Sequence, residues 1–151
     1  MATGKLLSTR SANVLGTEFD SLASTNYAVS PVIDLSSINP VDVAIELAIT
    51  PGATSGEEGV YVFAKVSMDG TNYTTGPESG AYASTNDEPD LVYVGFLSLK
   101  TDSTLQRGIF NIRQASGFIP KYFKIVIRNS TGAALGTSHT LNYITWVTDV
   151  A

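Results

Sequence analysis

The residues from Pro120 to Asn129 constrain this chain more than any other stretch. Phe123, Ile125 and Ile127 alternate with Tyr122, Lys124, Val126 and Arg128. That period of two turns one set of side chains into a core and the other away from it, which is the mark of a half-buried β-strand. Pro120 precedes the run, where its missing N–H costs no ladder bond. Asn129, Ser130, Thr131 and Gly132 follow it with residues that favour a turn. The other ordered-looking segments repeat this form, so the chain is expected to be all-β.

In chain order, Tyr27 to Leu35 reads as a strand with Pro31 inside it, which demotes it to an edge or a bulged strand. Val41 to Thr50 alternates cleanly, with Val43, Ile45, Leu47 and Ile49 inward and Asp42, Ala44, Glu46 and Ala48 outward. Val60 to Met68 is apolar on both faces, Val60, Val62 and Val66 opposing Tyr61 and Phe63. Such a strand is expected to be central and covered twice, once by the core and once by a subunit contact. Leu91 to Leu99, Gln106 to Gln114 and Leu141 to Thr148 complete the set, with a further short strand near Gly80 to Ser84. No amphipathic helix is expected.

Strands at this spacing with uneven loops predict a two-sheet β-sandwich of jelly-roll topology. Residues 1–25 lack a clear period and read as an N-terminal arm, either packed on a neighbouring subunit or frayed. Residues 26–151 read as the sandwich domain. The polar run from Thr71 to Asp90 is long for a compact domain and is expected to be functional or covered by a partner.

Composition narrows the function classes. The chain has 151 residues, the length of a single domain, and no cysteine, which removes disulfides and thiolate metal sites. Charged residues make up 15% and the net charge is −5, so neither the amount nor the sign of charge suits a nucleic-acid backbone. No run approaches the ~20 apolar residues that span a bilayer. The N-terminus has no apolar signal-peptide core. No nucleic acid and no membrane are expected as partners.

Catalytic chemistry finds little support. His139 is the only histidine, so a triad or histidine metal site would rest on it alone; it reads as an ordinary loop or surface residue. Asp87, Glu88 and Asp90 cluster hard oxygen ligands, a weak candidate for Ca²⁺, but their spacing matches no EF-hand. A solvated acidic loop tip is the simpler reading. No cofactor is expected, and the chain reads as a non-enzyme.

Aromatic residues are more suggestive. Most pack in cores when they lie on strands. Tyr61 and Phe63 mark the second apolar face of their strand, and Tyr73 and Tyr82 lie in the long polar loop. These four are the interface or binding candidates.

Three segments together carry a family resemblance. Ser30 to Leu35 leads into a strand, Val66 to Tyr73 runs a strand into an Asp-Gly-x-x-Tyr turn, and Tyr122 to Leu135 ends a strand in Asn-Ser-Thr-Gly. The arrangement resembles small virion proteins of tailed bacteriophages, particularly capsid decoration (cement) proteins, from about Ser30 to Val147. The resemblance implies a β-sandwich or jelly-roll protomer, often a homotrimer, on the capsid exterior of the virion. Its partner there would be the major capsid protein, at junctions between subunits, and the protein would be made in the host cytoplasm. Two other readings share the composition: a tail or baseplate subunit, and a carbohydrate- or receptor-binding module.

Overall fold

The computed structural model describes residues 4–55, 58–77 and 88–149. Its strands are β1 (Lys5–Arg10), β2 (Tyr27–Val29), β3 (Ile33–Asp34), β4 (Asp42–Ile49), β5 (Gly59–Ser67), β6 (Val92–Ser98) and β7 (Gln106–Asn111). A short helix α1 (Ile112–Ser116) follows, then β8 (Tyr122–Asn129) and β9 (Thr140–Asp149). The expected run around Gly80 to Ser84 lies outside the described residues.

Two antiparallel sheets face each other. Sheet A has the order β1-β9-β4-β7, and sheet B has β2-β8-β5-β6, with β3 also on β8. Both β2 and β3 pair with β8, through Tyr27↔Arg128 and Ile33↔Phe123. They are one strand interrupted around Pro31, as proline in the run predicts. Counted so, four strands face four, and the chain alternates between sheets in the order of a jelly roll.

The core between the sheets follows the period-two pattern. Val43, Ile45, Leu47 and Ile49 from sheet A meet Val60, Val62, Phe123, Ile125 and Ile127 from sheet B. Each such side chain contributes about 1.5–3 kcal/mol by leaving water. Strand β5 lies between β8 and β6 and is buried on both faces, so its two-sided apolar sequence does mark a central strand.

Residues 4–25 divide into two parts. All of β1 is exposed, although it pairs with β9 from Lys5↔Asp149 to Arg10↔Ile144. Beyond it, Leu15, Phe19 and Leu22 are buried in this chain's own core. Ser21 N–H donates to Gly136 O at 2.9 Å, and Leu135 N–H donates to Leu22 O at 2.9 Å.

The segment from Gln106 to Gln114 departs from expectation. It is a strand only to Asn111 and then turns into α1. The Asn111 side chain accepts the Gln114 N–H at 2.7 Å, which caps the first turn. Gly117 closes the helix in the left-handed region at φ 79°, where a Cβ would be strained. Those two residues outweigh the strand-like alternation before them.

Candidate functional site

The outer faces of the two sheets are built differently, and the sequence-predicted candidates fall on one of them. On sheet B, Tyr27, Val29, Phe63, Leu91 and Val126 form a second hydrophobic cluster, with Tyr61 packed against it. The segment after β5 folds back over this face. Thr74 N–H donates to Val66 O at 3.1 Å, and the Val66 N–H reaches Thr74 Oγ1 at 3.2 Å. Lys65, 1% exposed, sends its ammonium to the carbonyls of Gly76 and Pro77 at 3.0 and 2.9 Å. A buried cation so bonded ties the strap to the sheet.

Where the described residues resume, the chain is pinned by charge. Glu88, in a single 3-10 turn (Glu88–Asp90), meets Arg128 of β8 at 2.9 Å. Arg128 also lies 4.2 Å from the centre of the Tyr61 ring, a cation–π contact. Burial pushes the neighbouring Tyr27 phenol above its usual pKa, while its hydrogen bond to Arg128 works the other way. The second cover over β5 is therefore supplied by this chain.

Each predicted residue can now be placed. Phe63 is buried and Tyr61 half-buried, both on the outer face of sheet B. Tyr73 lies in the strap with its ring 4.6 Å from the Lys124 ammonium. Its hydroxyl is buried with no hydrogen-bond partner among the described residues, and burial pushes its pKa up. Tyr82 and Asp87 lie outside the described residues. Of the acidic set, Glu88 is paired with Arg128, and Asp90 is exposed. Among the described residues, no three His, Cys, Asp or Glu side chains converge as a metal site.

Nearby, a cleft of about 500 Å³ is lined by Val66, Met68, Asp69, Asn72 and Tyr73. Asp69 is its only carboxylate, and the turn consumes it. It accepts the N–H groups of Asn72 and Thr71, then the Asn72 amide and the Ser67 hydroxyl, which hold it well below the usual carboxylate range.

Sequence reasoning did not single out Tyr93 and Phe96 as surface residues. Strand β6 carries a bulge that leaves Val94 unpaired, since Val62 faces Gly95 while Phe63 faces Tyr93. The extra residue puts Tyr93 and Phe96 on the same outer face. There Phe96 meets Tyr61 edge-on at 5.0 Å and Tyr93 meets Phe63 at 5.8 Å. A row of rings therefore runs outward from buried Tyr27 to Tyr93, which is 54% exposed. A bulge has no simple sequence mark, so only the spacing of the two rings hinted at it.

On the outer face of sheet A, Ala44, Ala48 and Asn142 are buried in the middle strands, and the exposed side chains lie at the two margins. Leu6, Ser8, Arg10, Arg107 and Ile109 are all exposed, Ile109 at 65%. Between the arginines lies Glu46, 2.6 Å from Arg10 and 3.5 Å from Arg107, so one row of charge crosses the sheet from β1 to β7. At the flank where β6 and β7 come together, Tyr93, Val94, Ile109, Phe110 and Gln114 line a groove of about 280 Å³.

The free edges themselves are obstructed. Lys5 and Arg10 sit on β1, Pro31 interrupts β2 and β3, the bulge and α1 flank β6, and Arg107 sits on β7. Each device discourages another strand from adding to the sheet. Contact with a partner is therefore expected through side chains on faces rather than through ladder bonds.

No protein-family model matches the chain, and no curated protein is similar to it.

Proposed function

We propose that this chain is a non-enzymatic virion structural protein that decorates the outside of a tailed-phage capsid. It acts as a homotrimer and bridges neighbouring major capsid protein subunits. The resemblance in the strand-and-turn segments supplies the family. The observation that carries the assembly role is the flank where β6 and β7 come together, where Tyr93 and Ile109 stand in solvent around a shared groove beside obstructed edges. Large exposed apolar side chains in one region mark a surface that meets another protein. A closed oligomer covers such a region, and several weak contacts held together bind the capsid tightly.

The deciding experiment adds the purified protein to capsids that lack it. The reading expects saturable binding at a fixed ratio to the coat subunits and a rise in the heat resistance of the capsids. Absence of both removes it. Binding to tails or baseplates instead would move the protein to that part of the virion.

A second reading, a carbohydrate-binding module, draws on one feature. Tyr93 and Phe96 present neighbouring rings at the rim of sheet B, and sugar rings stack on such surfaces. It expects glycan binding that disappears in Tyr93→Ala. A glycan array with no signal eliminates it.

A further inference from the structure

The one histidine is buried at a junction of three segments, and the assembly reading gives it no task. The His139 side chain is 2% exposed. Its Nδ1 accepts the Thr50 N–H at 3.1 Å, and its Nε2 lies 3.1 Å from Gly136 O. An acceptor at Nδ1 requires the proton at Nε2, so the ring is a neutral bridge between the end of β4 and the loop before β9. Third is the segment that carries Phe19 and Leu22. Asp20 Oδ1 is 3.7 Å from Nε2, and the Phe19 backbone dipole also favours the charged ring. Asp20 is the one charged group acting on it; Thr50, Gly136 and Phe19 contribute backbone dipoles.

We propose that His139 is an acid-sensitive latch that holds residues 16–25 against the sandwich and loosens them when it is protonated. A second ring proton would place an N–H at Nδ1 facing the Thr50 N–H. The bridge then fails at that atom and the ring must turn. The Thr50–Gly136 contact, Gly136 N–H to Thr50 O at 2.9 Å, turns with it. Gly136 O also accepts the Ser21 N–H, so the disturbance passes directly to the segment. Loosening exposes Phe19 and Leu22, which are buried in the core.

The direction follows from competition between two effects. Burial disfavours the imidazolium, whereas Gly136 O and Asp20 favour it; burial prevails and holds the ring below the ordinary histidine pKa. The stability the neutral ring contributes is therefore complete above about pH 6.5 and is lost as the pH falls below it. The carboxylates Asp34, Asp69 and Asp102, all held below their usual range, stay ionised through this interval.

Because the chain has a single histidine, the ring can be followed without assignment ambiguity. NMR of its carbon-bound ring protons from pH 8 to 5, with amide protection factors measured alongside, tests the latch. The expected result is a midpoint below that of a free histidine and at least a tenfold loss of protection at Ser21, Leu135 and Gly136 between pH 7.5 and 5. His139→Gln keeps one acceptor and one donor without titrating, and its protection should not change over the same range. A ring that titrates at or above the free value, or one that titrates while those amides keep their protection, overturns the proposal. If the glutamine variant does not fold, the wild-type titration decides alone.

Discussion

The outer face of sheet B and the outer face of sheet A are made from the same kind of strand, yet the first buries an aromatic cluster under a returning segment and the second carries a row of charge. On sheet B, Phe63 and Val126 pack with Leu91, beside the bonds of Lys65 to Gly76 and Pro77 and the Glu88–Arg128 pair. On sheet A, the corresponding layer is Ala44, Glu46, Ala48, Arg107 and Ile109, with charge at its centre and Ile109 in solvent. The difference separates apolar surface that a chain uses on itself from apolar surface it leaves in solvent. An aromatic strand face reads as an interface in sequence; here the chain returns and covers it.

Substitutions can break that contrast. Phe63→Ala should be the most damaging, at about 3–5 kcal/mol in chemical denaturation, because it opens a cavity under the strap. If it costs no more than a surface change, the strap does not seal this face. Glu88→Gln removes one charge from a pair whose side chains are each about one-fifth exposed, and should cost about 1–2 kcal/mol. It should also increase proteolytic cutting of the strap while sheet A stays intact.

On sheet A the same chemistry should matter less. Arg10 and Arg107 are more than half exposed, so Glu46→Gln should cost below about 1 kcal/mol, and less still in high salt. Ile109→Ala should change stability by no more than about 0.5 kcal/mol. Ile109→Arg should fold equally well yet lose the proposed trimer in light scattering. An unchanged mass would place the subunit contact elsewhere.

Acid provides the mildest probe. The turn donors around Asp69 keep its carboxyl below the ordinary range. Its contribution is present above about pH 3.9 and is lost only as the pH falls through its lower folded value. NMR titration of that carboxyl should find it still ionised at pH 3, with the Thr71 and Asn72 amide shifts unchanged.

The legible parts of this fold were those set by neighbours in sequence. The alternation in β8 and β4, the two-sided burial of β5 and the break at Pro31 each depend on residues a few positions apart. What was hidden depends on distant partners. Arg10 meets Glu46 across a separation of 36 residues, and Thr50 meets His139 across 89. No local pattern records such meetings. Likewise the burial of Phe19 and Leu22 waits on loop residues 129–136, so a segment without period looked like an arm. The outward side of Tyr61 and Phe63 could be read from their alternation, whereas that of Tyr93 and Phe96 depends on a bulge whose register only the partner strand reveals.

The interleaved strand order also bears on how the chain is made. Strand β9, which follows all the others in sequence, lies between β1 and β4, and β8 lies between β2 and β5. While the polypeptide grows from the ribosome, sheet A has no centre, and its first strand waits for a partner reaching from Ile144 to Asp149. Neither sheet can assemble outward from the N-terminus. Both sheets must therefore wait until β8 and β9 have emerged, and the apolar strands β4 and β5 stay exposed to chaperones and to one another until then.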